Sequence, residues 1–489
     1  MSNTAIRQLE PKSIWNHFAD LNAVPRPSKK EERVIAFMKD FGERLNLETL
    51  VDPVGNVIIR KPATAGLEDR PWVTLQSHLD MVHQKNAGTD FDFDRQGIAM
   101  KVDGDWVKAE GTTLGADNGL GVATIMAVLS STDLPHPPIE ALFTIDEETG
   151  MTGAMGLQPD LLKGEILLNL DTEEDDEIGI GCAGGIDVTA SGSYSSQEVP
   201  EQYKTFTLTI SGLQGGHSGM DIHRGLGNAN KLMARLLYRV QEEFDFILAV
   251  LEGGSLRNAI PREAFAKAAV PKKQWDALEH LLEREIEAIG NEYHSLEPHL
   301  KIQLQTADEH LSSGMDAGSQ KALIRSLKAA WNGVYRKSPD FEDLVETSNN
   351  VARVQVKQGE IYVECLTRSS VESSKRDLAN TLKATFELAG LAVSFSGAYP
   401  GWEPKRDSAI VQAIVQKYRE LHGEEPHVAA CHAGLECGIL GQHYPEMDMV
   451  SFGPTIKGAH SPDERVSISS VQKYWKLVKA LLADIPAKA

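Results

Sequence analysis

Three short apolar runs limit the possible folds more than any other feature of the sequence. They occupy residues 73–75, 139–145 and 166–170. Each is short enough for a strand, and none alternates strictly with polar residues as a half-exposed strand would. A helix rich in small apolar residues is predicted between two of them, at residues 119–129. Buried strands that alternate with helices predict an α/β domain with a mostly parallel central sheet.

The pattern changes at about residue 187, where alternating strands begin. A strand is predicted at residues 203–210, a helix at 225–240 and a strand at 246–252. A similar order follows, with strands at 299–305, 351–356 and 361–366 and helices at 321–331 and 376–388. The α/β pattern returns after residue 399. The sequence therefore predicts an α/β domain at 1–186 and 399–489, interrupted by an inserted α+β domain at 187–398 with two similar halves.

The overall charge excludes two classes of partner. The 49 Lys and Arg residues against 70 Asp and Glu residues give a formal net charge of −21. Phosphate groups would be repelled, so neither a nucleic acid nor an anionic membrane is expected as a partner. No apolar run is long enough for a membrane span, and the first twenty residues do not form a signal peptide. Four cysteines in so long a chain predict no disulfide framework, so we expect a soluble cytoplasmic protein.

Potential metal ligands follow the predicted strands, at the strand ends where α/β proteins bind ligands. These residues are His78, Asp80, Glu147, Glu148 and Asp171, together with Asp117 in a glycine-flanked turn and His460 after the late strand.

Taken singly, each of these residues has a simpler interpretation. His78 could be a hydrogen-bonded surface histidine, Asp117 a helix N-cap, and the acidic run at 146–148 a solvated turn. As a group, these residues favour a metal site over the simpler interpretations, because like charges crowded at one sheet edge repel each other unless a cation lies among them. The mixture of imidazole and carboxylate favours zinc, or else manganese or cobalt, over calcium or magnesium.

Five ordered motifs then resemble a known family. They are Ser-His-Leu-Asp at 77–80, Gly-Ala-Asp-Asn-Gly at 115–119, Glu-Glu-Thr-Gly at 147–150, Asp-Thr-Glu at 171–173 and Gly-Ala-His at 458–460. They resemble the dizinc metallopeptidases that include carboxypeptidase G, succinyl-diaminopimelate desuccinylase and carnosinase. Over its whole length the chain is similar to the aminoacyl-histidine (Xaa-His) dipeptidases of that family. The resemblance implies a zinc-peptidase catalytic domain with an inserted lid domain.

The resemblance also implies a role for each residue of the metal site. Asp117 would bridge two Zn²⁺ ions, for which Mn²⁺ or Co²⁺ could substitute. His78 and Asp171 would complete one site, and Glu148 and His460 the other. Asp80 would orient the imidazole of His78. Glu147 would act as the general base towards a water that bridges the metals, and would then protonate the leaving amine.

In the inserted domain, three further residues match the family's lid residues. His217 would stabilise the oxyanion, and Asn258 and Arg368 would contact the substrate, Arg368 through its terminal carboxylate. The acidic run at 173–177 is interpreted as a solvated loop, or as an attractor of substrate amines or cations near Asp171.

The predicted function is hydrolysis of unblocked dipeptides, Xaa-His and carnosine among them, by a homodimer. Asp at position 171, where carboxypeptidase-type relatives have Glu, favours dipeptidase or aminopeptidase activity. Two alternatives stay open: an amidohydrolase that deacylates N-acyl amino acids at the same site, and a noncatalytic metal- or peptide-binding relative. The second is disfavoured because all five predicted ligands and Glu147 are present.

Overall fold

The chain divides into two compact units. The computed structural model describes residues 3–342, 344–405 and 407–486. Unit 1 consists of Met1–Gly181, Pro404–Ala430 and Leu435–Ala489, and unit 2 of Cys182–Glu403 and Cys431–Gly434. The predicted insertion at 187–398 lies a few residues inside these limits, and the sequence did not predict that residues 431–434 return to unit 2. Residues 1–2 and 487–489, at the ends of the predicted segments, lie outside the described residues.

The described residues form α-helices and β-strands in both units. The helices are α1 (Lys12–Leu21), α2 (Glu32–Arg44), α3 (Ala116–Ser130), α4 (Thr152–Gly156), α5 (Ala229–Glu243), α6 (Trp275–Tyr293), α7 (Ala317–Ala329), α8 (Glu372–Glu387), α9 (Ala409–His422), α10 (Glu436–His443) and α11 (Ile468–Ala483). The strands are β1 (Glu48–Val51), β2 (Val57–Lys61), β3 (Val73–His78), β4 (Met100–Asp103), β5 (Trp106–Ala109), β6 (Ile139–Thr144), β7 (Ile166–Asn169), β8 (Glu177–Cys182), β9 (Gly184–Ser193), β10 (Ser196–Glu198), β11 (Tyr203–Ser211), β12 (Gly216–His217), β13 (Ile247–Gly253), β14 (Ala259–Ile260), β15 (Ala264–Pro271), β16 (Lys301–Thr306), β17 (Ser313–Met315), β18 (Gly333–Lys337), β19 (Val345–Lys357), β20 (Glu360–Ser369), β21 (Ala392–Tyr399), β22 (His427–Cys431), β23 (Asp448–Ser451), β24 (Ile456–Lys457) and β25 (Arg465–Ser467). Across the described part of the chain, none of the helices is both long and apolar enough to span a bilayer.

The central sheet of unit 1 is parallel where the sequence predicted its buried strands. Its strand order is β1-β2-β6-β3-β7-β23-β8-β22. The neighbouring pairs β6/β3, β3/β7 and β7/β23 are parallel, whereas β1/β2, β2/β6 and β23/β8 are antiparallel. Every residue of β3, β6 and β7 is buried. The predicted α/β class with a mostly parallel central sheet is confirmed, with antiparallel pairing towards both edges of that sheet.

Unit 2 contains a second sheet whose strand order has two equivalent halves. The order is β16-β11-β15-β13-β19-β20-β9-β21. From the central β13/β19 pair outwards, one half is β13-β15-β11-β16 and the other is β19-β20-β9-β21. In each half the first two strands form a β-hairpin, the third strand comes from earlier in the chain and the fourth from later. Apolar residues of α5, α6, α7 and α8 pack with those of the strands in one core. This arrangement agrees with the predicted α+β domain of two similar halves.

Helix α5 illustrates how the sequence sets an element of this core. The side chain of Asn228 accepts a hydrogen bond from the backbone N–H of Lys231 at 3.1 Å, which caps the first turn. Leu232, Leu236 and Val240 then recur every four residues and are all buried. This spacing places them on the face that packs against the sheet.

Candidate metal centre

The carboxyl ends of three parallel strands of unit 1 carry most of the predicted ligands. His78 is the last residue of β3, and Asp171 lies two residues beyond β7. Glu147 and Glu148 follow β6 through Asp146, whose φ of 56° is left-handed, so the chain turns sharply there. Because β6, β3 and β7 are neighbours and parallel, these side chains meet at one edge of the sheet.

Asp117 lies between the two predicted histidine ligands. The distance from Asp117 Oδ1 to His78 Nε2 is 3.2 Å, and that from Asp117 Oδ2 to His460 Nε2 is also 3.2 Å. His78 Nε2 is 3.4 Å from Asp171 Oδ1, and His460 Nε2 is 3.0 Å from Glu148 Oε2. Among the described residues, four groups could each hold a metal ion, and two of them, His78–Asp117–Asp171 and Asp117–Glu148–His460, have the carboxylate of Asp117 in common. The other two are His78–Glu147–Glu148 and Glu31–Asp80–Asp146.

Asp80 connects the first histidine to the acidic turn. Its Oδ1 lies 3.4 Å from His78 Nδ1 and accepts the backbone N–H of Glu147 at 3.0 Å. Its Oδ2 accepts the hydroxyl of Ser28 at 2.8 Å and the backbone N–H of Glu148 at 3.3 Å. One fully buried carboxylate thus fixes both the imidazole ring of His78 and the backbone that carries Glu147 and Glu148.

The electrostatics of the cluster suit a bound cation. Hydrogen bonds to Asp117 and then Glu148 raise the pKa of His460 to about 11, because the carboxylates attract a positive charge. Burial raises the pKa values of Glu147, Glu148 and Asp171. Glu148 Oε1 is buried without a hydrogen-bond partner. An unsatisfied buried oxygen among crowded carboxylates and two imidazoles fits a metal ion of the zinc type.

A second cluster lies within unit 2, where the sequence predicted substrate contacts. The Nδ1 atom of His217 accepts the backbone N–H groups of Gly219 at 3.2 Å and Met220 at 3.0 Å, so its Nε2 carries the hydrogen. Arg368 directs one nitrogen towards this Nε2 at 3.5 Å and donates another to the hydroxyl of Tyr399 at 2.8 Å. These two N–H donors face each other, so both can donate to one acceptor. The arrangement is suited to an anionic oxygen.

Asn258 belongs to the same neighbourhood through its backbone. Its carbonyl accepts the N–H of Ser218 at 2.8 Å, and the next residue, Ala259, pairs with His217 between strands β14 and β12. Among the described residues no carboxylate forms an ion pair with Arg368, although this side chain is only 4% exposed. A buried guanidinium that forms no ion pair has an unused capacity for an anion.

The predicted metal ligands lie within a region that matches a known protein family. The model of Peptidase family M20/M25/M40 matches residues 74–484, which include all five predicted metal ligands. The chain belongs to this peptidase family.

Three known proteins match this M20 peptidase over nearly its full length. The cytosol non-specific dipeptidase of Escherichia coli (strain K12) is 46% identical over 483 residues, which are 99% of each chain. The solved structure of aminoacylhistidine dipeptidase from Vibrio alginolyticus is 45% identical, with a TM-score of 0.94 over 99% of each chain. Aminopeptidase PepT from Bacillus cereus is 15% identical over 98% of this chain with a TM-score of 0.57, and shares the fold.

Sequence reasoning assigned no role to His432 of the M20 peptidase, although it lies close to the predicted contacts of unit 2. Its Nε2 is 2.7 Å from the hydroxyl of Ser348, and the ring is 7% exposed. Its carbonyl oxygen would lie 2.0 Å from a Cβ at position 219, so only glycine fits in the loop after His217. A lone histidine 64 residues beyond Arg368 gives no sequence signal of this proximity.

His432 is expected to make the peptidase less stable in acid. Burial and then the Arg368 guanidinium lower the pKa of His432 from 6.5 to about 3. The folded protein therefore excludes a proton that the unfolded chain binds below pH 6.5, so stability is full above that pH and falls towards pH 3. From pH 6.5 to 5 we expect this residue to cost about 2 kcal/mol. Urea denaturation should give a shallower pH dependence for His432→Gln than for the wild type. The exposed His280→Gln should keep the wild-type dependence, and equal slopes for all three proteins would contradict the assignment.

The acidic run at 173–177 is only partly the solvated loop that the sequence suggested. Glu174 pairs with Lys457, and Asp175 pairs with Lys473 at 2.7 Å. Glu173 is half-buried, and within the described parts of the chain its carboxylate has no hydrogen bond or ion pair. Burial, followed by the charges of Asp117 and Asp171, raises the pKa of Glu173 to about 8. This carboxyl group therefore lies near the ligand cluster, where the charge of His460 does not offset burial and the charges of Asp117 and Asp171.

Proposed function

We propose that this chain is a metal-dependent dipeptidase that hydrolyses unblocked dipeptides, with Xaa-His dipeptides such as carnosine among its substrates. The observation that carries this proposal is the complete ligand cluster, with Glu147 beside it, in a chain that matches a dipeptidase over 99% of its length. The Vibrio relative's name supports the preference for histidine in the second position.

Five side chains would hold the metal ions, which we propose to be two Zn²⁺ per subunit, with Mn²⁺ or Co²⁺ as substitutes. They are His78 and Asp171 for one ion, Glu148 and His460 for the other, and Asp117 for both. When bound, such ions polarise a carbonyl and lower the pKa of a coordinated water.

Glu147 would move the proton of the reaction. Its carboxylate takes a proton from the attacking water and returns it to the amine nitrogen as the peptide bond breaks. Burial raises the pKa of Glu147, and cations held beside it would favour the charged form that accepts a proton. Asp80 holds the backbone N–H of Glu147 at 3.0 Å and so acts as a positioning residue for the base.

The donors of unit 2 would bind oxygen atoms of the substrate. We assign the oxyanion to His217 and the terminal carboxylate to Arg368, because both present N–H groups and Arg368 forms no ion pair in the described structure. Asn258 would contact the substrate beside them. We therefore propose that unit 2 is the lid of the enzyme. We also propose that it works in the cytoplasm as a homodimer.

A substrate panel tests the proposed function. The protein is stripped of metal by a chelator, reloaded with Zn²⁺ and assayed on carnosine, other Xaa-His dipeptides, dipeptides without histidine, and N-acetylated counterparts. We expect cleavage of the free-amine dipeptides and little cleavage of the acetylated ones. Cleavage of the acetylated compounds alone would identify an amidohydrolase, and cleavage of none by protein that holds two ions would identify a binding protein.

Glu173 is expected to contribute to recognition of the free amine. Burial raises the pKa of this unpaired carboxyl group to about 8, and a bound substrate ammonium group would favour its charged form. Glu173→Gln should therefore raise KM for unblocked dipeptides by about tenfold, equivalent to one charge-assisted hydrogen bond, with kcat nearly unchanged. Steady-state kinetics on a free-amine dipeptide measure both constants. The neighbouring variant Glu174→Gln loses only its ion pair with Lys457 and should behave like the wild type. A fall in kcat at constant KM for Glu173→Gln would exclude this role.

A further inference from the structure

A buried carboxylate outside the ligand set holds the turn that carries Asp117. Glu464 is 2% exposed and accepts four backbone N–H groups. Its Oε2 accepts those of Leu114 at 2.7 Å and Gly115 at 2.9 Å, and its Oε1 those of Ala116 at 2.7 Å and Asp117 at 3.2 Å. All four N–H groups lie in the turn before α3 becomes regular, because Asp117 and Asn118 have non-helical backbone angles.

A buried guanidinium holds the same turn from its carbonyl side. Arg26 is 1% exposed and donates to the carbonyl of Gly115 at 2.5 Å. It also donates to the carbonyls of Leu79 and Asp80, each at 3.0 Å, directly after His78. Its remaining hydrogen bond is to the amide oxygen of Asn22 at 3.1 Å. Arg26 therefore donates mainly to backbone carbonyls and to no carboxylate among the described residues.

Gly115 is hydrogen-bonded to both Glu464 and Arg26. Its N–H donates to Glu464 and its carbonyl accepts from Arg26, and its φ of 68° is left-handed. A Cβ at this position would lie 2.5 Å from a nitrogen of Arg26. Only glycine meets both conditions, so the peptide groups two residues before Asp117 are fixed from both sides.

The same two side chains join the segments that carry both histidines. Glu464 lies in the hairpin loop between β24 and β25, four residues after His460, and its own N–H donates to Ser461 at 3.1 Å. Arg26 is bound to the segment that follows His78. The oxygens of Asp117 must face His78 and His460 at the same time, at 3.2 Å each, so a small rotation of this turn would misplace both contacts.

We propose that Glu464, together with Arg26 across the same turn, is a positioning residue of the metal centre that holds Asp117 and His460 at the spacing a shared metal ion requires. Neither side chain contacts the proposed metal or substrate. The proposal rests on the metal centre proposed above. Partners of this kind typically change metal affinity by about 10- to 100-fold when replaced.

The test is a Zn²⁺ titration of the metal-free full-length protein. In Glu464→Gln, half of the side chain becomes an NH₂ group that faces two N–H donors, so the turn should shift. We expect the weaker of the two Zn²⁺ dissociation constants to rise about 10- to 100-fold. The matched control is Glu140→Gln, which removes a fully buried carboxylate bound to Arg60 at 2.8 Å near the opposite end of β6. The control should bind Zn²⁺ like the wild type.

Three outcomes with the wild type, Glu464→Gln and Glu140→Gln would overturn the proposal. The first is wild-type Zn²⁺ affinity in folded Glu464→Gln. The second is an equal loss in Glu140→Gln, which would attribute the effect to general destabilisation, monitored by the melting temperature of each metal-free protein. If Glu464→Gln does not fold, Arg26→Lys is titrated in its place, with a loss of at least about tenfold expected and unchanged affinity as the contrary result. A wild-type protein that fails to bind two ions is the third outcome, and it would overturn the metal centre as well.

Discussion

Glu147→Gln is expected to lower kcat by about 10²- to 10⁴-fold, the usual contribution of a general base. Glutamine has the size and shape of glutamate but cannot take up a proton. Its backbone would still donate to Asp80, which holds the turn in place. Metal content and KM should therefore stay close to the wild-type values, since the variant removes one proton acceptor and no proposed ligand.

The neighbouring carboxylate provides the matched control for this variant. Glu148 Oε2 lies 3.0 Å from His460 Nε2, and Oε1 is buried without a partner, as expected of a metal ligand. Glu148→Gln should lose one metal ion, whereas Glu147→Gln should retain both. Metal analysis after dialysis and steady-state kinetics separate the two effects. Near-normal turnover by Glu147→Gln with two ions bound would exclude Glu147 as the base.

The sequence could predict the centre because its ligands follow local rules. His78 is the last residue of one fully buried strand and Asp171 lies two residues beyond another, and these strands are adjacent and parallel, so their ends coincide. Asp117 was a candidate from its glycine-flanked turn and His460 from its place after the late strand, and the family motifs gave these two residues their roles. The structure brings all of them together, and the family match confirms the fold class and the peptidase family.

The supporting residues could not be predicted in the same way. Glu464 acts on backbone N–H groups about 350 residues away, and such contacts leave no pattern in side-chain type or spacing. Arg26 is an ordinary arginine in a loop until the fold buries it against three carbonyls. His432 reaches its partner Ser348 only because residues 431–434 return to unit 2.

Helix α6 is a different kind of omission, because its signal was present in the sequence. Leu278, Leu281, Leu282 and Ile289 are buried at helical spacing within Trp275–Tyr293. From the sequence, no element was predicted in this segment. No helix was therefore predicted between the strands at 246–252 and 299–305. In the structure the strands on either side of α6, β15 and β16, both pair with β11.

Asp117→Ala is expected to release both metal ions and to lower the rate of dipeptide hydrolysis by at least about 10³-fold, which corresponds to the several kcal/mol that bound metal contributes to stabilisation of the transition state. The reason is geometric. One oxygen of Asp117 belongs to the His78–Asp171 group and the other to the Glu148–His460 group. Alanine removes a ligand from both, and each group is then left with two protein ligands.

The bridging role is tested by comparing this variant with two others. Asp171→Ala removes a ligand from the first group only, and Glu148→Ala from the second only. Each should retain one tightly bound ion after dialysis, whereas Asp117→Ala should retain none. Melting temperatures of the three metal-free proteins establish that each is folded. If Asp117→Ala retained one ion as tightly as the single-site variants, Asp117 would serve one group alone, and the two ions would be held independently of each other.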